Sequence, residues 1–314
     1  MGRFIWQNGK ILPESEAVIS VYDSALMFGD MVFEMTRSFN RKQFKLREHI
    51  ERLIRSIMYT RIPFDMSIDD LEIACDDIQN SNQFEPDDEH RLMINVSRGT
   101  LPMYSETERA WNGTNIMITD FPLRWTVAGM GQLFDNGINA VTPSQRAIPA
   151  SLLDPRVKSR SRMHLQMANI EVSGYEGNNN WPLLLDEHGY VTEGTGANFF
   201  IVDKWGKLLT PHPKNILNGI SRAFIFSDFN ILTLGDDITL YDIYNAKEAF
   251  FTATPFCMLP VTSINGVKIG DGKVGEKYNY FLNEWSKMVG VDIKGQIQAW
   301  DKGAKKGPSA YKFK

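Results

Sequence analysis

The feature that most constrains this chain is a change of hydrophobic period partway along it. Before about residue 125, two stretches repeat their apolar residues at helical spacing. These are Glu48–Arg61, with Ile50, Leu53, Ile54, Ile57 and Met58, and the stretch opened by Ser67, with Ile68, Leu71, Cys75 and Ile78. Strand-like runs surround them. Asn8-Gly9 sits between Phe4–Trp6 and Lys10–Leu12, and both turn residues tolerate positive φ, so a hairpin is expected there. A second hairpin is expected across Asn40–Gln43, joining Phe33–Phe39 to Phe44–Leu46, and Arg91–Ser97 and Ile116–Asp120 read as strands. Beyond that point short strands dominate: Ala140–Thr142, Leu183–Asp186, Asn198–Val202, Leu208–Thr210, Glu248–Thr252 and Val267–Ile269. Turn signals such as Asp203–Gly206 and Asn265-Gly266 separate them. Helices are expected from about Ser161 to Ser173, from Ser221 toward Asp228, and over Phe281–Met288. The pattern is α+β with two domains, 1–125 and 126–292. From residue 293 onward a mobile tail is expected, because its lysine-rich end shows no period.

A net charge of -4 gives no electrostatic reason to expect a nucleic-acid partner. No apolar run reaches the length of a membrane span, so no membrane partner is expected. Two cysteines, Cys75 and Cys257, make neither a disulfide framework nor a metal-ligand spacing. A reducing, cytoplasmic setting is the expectation, with no metal.

Four segments carry candidate chemistry. Asp154–Arg162 places Lys158 among Arg156, Arg160 and Arg162, where neighbouring cations favour the free amine and could also hold a phosphate or carboxylate. A solvated basic turn is the plainer reading. Val191–Phe200 sets Glu193 beside Gly194 and Gly196 before an apolar strand. Its carboxylate could keep a pyridine nitrogen protonated, or the glycines could simply make a turn. Leu217–Arg222 leads into a helix whose N-terminus suits an anion, with capping by Ser221 as the alternative. Thr252–Pro255 ends a strand with hydroxyls that could reach the same anion.

Taken together and in this order, these segments resemble the class IV aminotransferases of fold type IV, and branched-chain aminotransferases among them. The resemblance runs from about Tyr22 to Gly275. Its N-terminal mark is Tyr22–Glu34 followed by His49-Ile50-Glu51-Arg52-Leu53, and its C-terminal mark is Glu248–Thr254, Pro260-Val261 and Ile264-Asn265-Gly266. It implies a small α/β domain and a larger pseudo-barrel domain, with pyridoxal 5′-phosphate at their interface, in a homodimer. It implies that Lys158 forms the Schiff base and shuttles the proton, and that Glu193 pairs with the pyridine nitrogen. Arg52 would reach the phosphate, and Asn198, Gly219, Ile220, Ser221 and Thr254 would complete the cofactor site. Phe28, Phe33, Arg98 and Ala253 match substrate-pocket positions, with core packing as the alternative for the two phenylalanines.

Two departures stand out. Relatives place a tyrosine five residues after the lysine, where this chain has Met163, so that contact falls to Arg160, Arg162 or His164, or is absent. Met103 and Ser105 stand where D-amino-acid aminotransferases carry an arginine and a histidine for the substrate carboxylate. The expected reaction is amino-group transfer between a hydrophobic, branched-chain-type L-amino acid and 2-oxoglutarate. The alternatives are an aminodeoxychorismate lyase, a D-amino-acid or amine transaminase, and a cofactor-binding protein without catalysis.

Overall fold

The structure is a computed structural model that describes residues 2–177, 179–231 and 235–303. It divides into two compact units, and the division does not follow the chain simply. The first comprises Met1–Trp125 together with Val157–Arg162, and the second comprises Thr126–Arg156 and Met163–Lys314.

The first unit is built on a five-stranded antiparallel sheet. Its strands run, in spatial order, Lys10–Pro13, Phe4–Gln7, Asn115–Pro122, His90–Ser97 and Met31–Met35. The first two form the expected hairpin, with Asn8 at φ 51° and Gly9 at φ 86°. Helices Leu46–Thr60 and Ile68–Ser81 supply the other half of the core. Ser67 caps the second of these reciprocally with Asp70, which satisfies two otherwise orphaned amides. Strand alternation decides which face is buried against the helices. Val32, Leu92, Ile94, Val96, Ile116 and Ile118 join Ile50, Leu53, Ile57, Leu71 and Ile78 in one cluster. Phe33 and Asn95, paired across neighbouring strands, fall at the alternate positions.

The second hairpin is smaller than the sequence suggests. Ser38–Phe39 pairs with Lys42–Gln43 across Asn40 and Arg41, while the strand through Phe33 ends at Met35 and the helix already begins at Leu46. The buried Arg37 intervenes, its Nε donating to the carbonyl of Ser38, and its guanidinium lies 3.8 Å from the Phe39 ring centroid.

In the second unit the sheet closes on itself, as a pseudo-barrel requires. Strands Val191–Gly194, Asn180–Leu185, Ile138–Val141, Cys257–Ile264, Glu248–Ala253 and Asn198–Val202 pair in that order. A bridge between Glu193 and Asn198 then joins the last strand to the first. Leu208–Leu209 and Val267–Lys268 extend it. Phe200 and Phe250 lie on one face of the sheet, where Phe250 meets Tyr278 and Phe281 of helix Glu276–Val289, while Phe199 and Phe251 pack together on the other face. Rings of Phe200 and Phe250 stack at 5.0 Å. Helices Met163–Ser173 and Ile220–Asp228 complete the elements that matter below.

The tail expectation is corrected over part of its length. Ile293–Gly303 is a helix, with Ile293, Ile297 and Trp300 buried at helical spacing. Asp301 receives the backbone N–H groups of Gly129 and Gly131 at 2.6 and 2.7 Å, which ties the helix to its own unit. Residues 304–314 lie outside the described residues. Among the described residues no helix is long and apolar enough to cross a membrane.

Candidate active site

Lys158 owes its position to a strand pairing that the sequence order hides. The segment Val157–Arg162 runs antiparallel beside the edge strand Met31–Met35. Phe33 N donates to Lys158 O at 3.0 Å, Arg160 N donates to Met31 O at 2.8 Å, and Val32 bridges Ser159. Lys158 N donates to Ser56 Oγ at 3.2 Å, and Val157 packs on the helix-side core. In extended chain alternate residues share a side. Lys158 Nζ accordingly lies 4.9 Å from the Phe33 ring centroid, with Arg160 Cζ at 3.7 Å and Arg162 Cζ at 5.6 Å. Phe33 is 1% exposed, so its ring is a fixed wall under three cations.

Arg52 stands on the inner side of helix Leu46–Thr60, where His49, Arg52 and Ser56 run beside the apolar row of Ile50, Leu53 and Ile57. Its Nε and Nη2 donate to Glu34 Oε1 and Oε2 at 2.7 and 2.8 Å, a bidentate pairing that fixes the guanidinium plane. His49 Nδ1 lies 2.8 Å from Glu34 Oε2. An ionised carboxylate only accepts, so Nδ1 carries the proton, while Nε2 is buried without a hydrogen-bond partner. Burial drives the Glu34 carboxyl upward, but Arg52 and His49 outweigh it and hold the group well below the usual carboxylate range. His49 is pushed down from its ordinary value by burial first, against the pull of Glu34, with Arg52 and Lys158 adding to the depression. Glu34 and His49 belong to the sequence marks of the resemblance, but nothing in the sequence assigns either of them a role. The available signal was an acid two residues after Val32, on the core-facing alternation of an apolar strand.

In the second unit Glu193 sits at the closure of the sheet. Its carboxylate accepts from Leu217 N and Asn198 Nδ2, both at 3.0 Å, and Asn198 Nδ2 also donates to Leu217 O at 2.9 Å. Gly219 lies so close that an added Cβ would meet Asn198 Oδ1 at 2.0 Å. Gly219 also caps helix Ile220–Asp228, and no side chain bonds to that helix's first turn. Capping by Ser221 is therefore not what the structure shows; Ser221 lies inside the turn, whose leading amides have no intrahelical partner. Gly194, Thr195, Gly196 and Ala197 line a pocket with Trp181 and Phe251. Thr252, opposite Asn198, has a buried Oγ1 without a hydrogen-bond partner, and Ala253 and Thr254 follow it.

These features suit pyridoxal phosphate. A lysine sits on an aromatic wall among arginines. A braced carboxylate offers a partner for a protonated ring nitrogen. The uncapped amides and an orphaned hydroxyl offer phosphate donors.

Three other positions noted in the sequence have the following surroundings. Phe28 is 69% exposed, so core packing does not account for it. Arg98 bonds Asp30 at 2.7 Å and the carbonyls of Thr60 and Arg61 at 2.9 and 2.8 Å, which secures the end of helix Leu46–Thr60. Met163 is 74% exposed at the start of its helix.

Residues 31–264 match the family profile of Amino-transferase class IV. The chain is 30% identical over 285 residues to the branched-chain-amino-acid aminotransferase of Salmonella typhimurium, covering 87% of this chain and 88% of that one. Among solved structures it superposes on the branched-chain amino acid aminotransferase of Escherichia coli with TM-score 0.80 at 26% identity, covering 92% and 95% of the two chains. It superposes on the T.th. branched-chain amino acid aminotransferase with pyridoxamine 5′-phosphate at TM-score 0.79 and 25% identity, covering 96% and 98%. The family match and the fold therefore define a pyridoxal-phosphate-dependent transaminase. The chain belongs to the class IV amino-transferase family.

Proposed function

We propose that this enzyme moves an amino group between a hydrophobic, branched-chain-type L-amino acid and 2-oxoglutarate, with Lys158 as the residue that binds the cofactor covalently in a Schiff base. The observation that carries the reading is the Lys158 amine over the buried Phe33 ring, beside Arg160 and Arg162. Pyridoxal phosphate supplies an aldehyde carbon that bonds reversibly to amines and a conjugated ring that accepts electrons. Lys158 Nζ, when released, takes and returns the proton that the reaction moves. Glu193 holds the proton of the ring nitrogen, and its bonds from Leu217 and Asn198 keep the carboxylate aimed. Arg52, braced by Glu34, and the amides of Ile220 and Ser221 bind the phosphate, with Thr254 adding a hydroxyl. Ala253 and Phe33 border the substrate. The named activity of the relatives supports an aliphatic donor.

We also place the enzyme in the cytoplasm and as a homodimer. Both cysteines are buried free thiols, which suits a reducing compartment. Val21, Leu26 and Phe28, exposed at 63, 64 and 69%, form an apolar run that a second copy would cover.

The test is the visible absorption of the holoenzyme. L-leucine and L-glutamate are expected to bleach the band of the lysine-bound cofactor, 2-oxoglutarate to restore it, and D-alanine to leave it unchanged. Bleaching by D-alanine alone would contradict the handedness. Steady turnover without an oxo acid would favour the lyase chemistry.

A further inference from the structure

Several buried or half-buried arginines of this unit face carboxylates. Arg52 is paired with Glu34, Arg98 with Asp30, and Arg124 with Asp87 and Asp88. The Arg160 guanidinium meets only neutral groups. Its Nε and Nη2 donate to Asn95 Oδ1 at 3.1 and 2.7 Å, Nη2 lies 2.8 Å from Met93 Sδ, and the Phe33 ring lies beneath it. Among the described residues no carboxylate pairs with it. A partly desolvated cation without a counter-charge is costly, and burial, joined by the like charge of Arg162, pulls its pKa down to about 10.

The geometry is that of a prepared anion receptor. Asn95 occupies the Nε–Nη2 edge and fixes the plane, and Phe33 fixes it from below. The Nη1 side makes no hydrogen bond to the described residues, which leaves its N–H groups for an anionic oxygen acceptor. Asn95 stands opposite Phe33 in the strand register, and Lys158 lies two residues before Arg160 on the same extended segment. A group held by Arg160 therefore lies over the same ring as the Lys158 amine.

We infer that Arg160 is the specificity-determining residue that binds the carboxylate of the amino-acid and oxo-acid substrates, held in place by Asn95 and Phe33. The inference rests on the reading of Lys158 as the cofactor-bearing residue, and it makes carboxylate-bearing substrates, rather than simple amines, the class this site selects.

The test titrates the holoenzyme calorimetrically with 4-methylpentanoate and with its neutral isostere 4-methylpentanamide, in wild type, Arg160→Gln and Arg160→Lys. Wild type is expected to prefer the acid, and Arg160→Gln to weaken acid binding roughly tenfold or more while amide binding stays unchanged. Arg160→Lys, which keeps charge but loses the fork, is expected to fall between them. In turnover, Arg160→Gln is expected to raise KM for the amino acid more than it lowers kcat. Equal binding of acid and amide by wild type would overturn the inference, as would an unaltered acid affinity in Arg160→Gln. Parallel loss of acid and amide would make the residue structural and overturn it too. A lowered affinity for pyridoxal phosphate with the acid preference intact would assign it to the phosphate, with the same consequence. The visible band of wild type reports separately on Lys158, so failure of that reading is distinguishable.

Discussion

Lys158→Ala is expected to lose the visible band of the covalently held cofactor and to lower the rate of amino transfer by roughly 10³-fold or more, the scale of losing a proton-transferring group. The loss should be chemical rather than structural. The segment is held through the backbone N–H of Lys158 to Ser56, its carbonyl to Phe33 N, and Arg160 N to Met31 O, none of which needs the Lys158 side chain. Thermal unfolding of the variant should match wild type within about 1 kcal/mol, as for a substitution that opens no core cavity. Near-wild-type transfer by this variant would remove Lys158 from the chemistry.

Glu34→Gln is expected to produce the largest loss of stability. The carboxylate is fully buried and is the shared acceptor of Arg52 and His49. Neutralising it leaves the Arg52 charge without its counter-ion, and breaking a buried pair from one side costs about 3–5 kcal/mol. The double variant Glu34→Gln with Arg52→Met should cost less than the two single changes combined, because no charge is then stranded. Urea unfolding of the four proteins checks this, and strict additivity would show that the pairing is not what holds the region.

The same cluster fixes a pH dependence. His49 is depressed in the folded state, so the unfolded chain takes up its proton first as pH falls below about 6.5, and stability drops from there. Glu34 is depressed too, so its contribution is present above about pH 4.3 and is lost as pH falls further toward its folded value. Both terms therefore act against the fold on acidification.

Much of this architecture is legible from local chemistry. The Asn8-Gly9 turn, the amphipathic helix through Ile50 and Leu53, and the Ser67 start are each set by neighbouring residues. Three elements escape that logic. Val191–Gly194 is a strand although its Thr-Glu-Gly run reads as a loop, because closure of the sheet supplies partners on both sides. Cys257–Ile264 is a strand despite Pro260, which still pairs in register with Phe250. Ile293–Gly303 is helical because three apolar anchors and Asp301 dock it, against a local composition of glycine, glutamine and lysine.

The site divides in the same way. Lys158 and Glu193 stand out as residue types in motifs. Membership of Val157–Arg162 in the first unit does not, since a strand bridge between Val32 and Ser159 is a tertiary fact. The bracing of Arg52 by Glu34 and the contact of Arg160 with Asn95 are likewise pairings between residues distant in sequence. No local pattern encodes them.

The central claim is that the cofactor is carried by Lys158, and the most direct measurement is a peptide map of holoenzyme reduced with borohydride and digested. The expected result is the phosphopyridoxyl mass on the single peptide containing Lys158, absent from Lys158→Ala. The modification on any other lysine, or reduced holoenzyme with no modified peptide, would contradict the account.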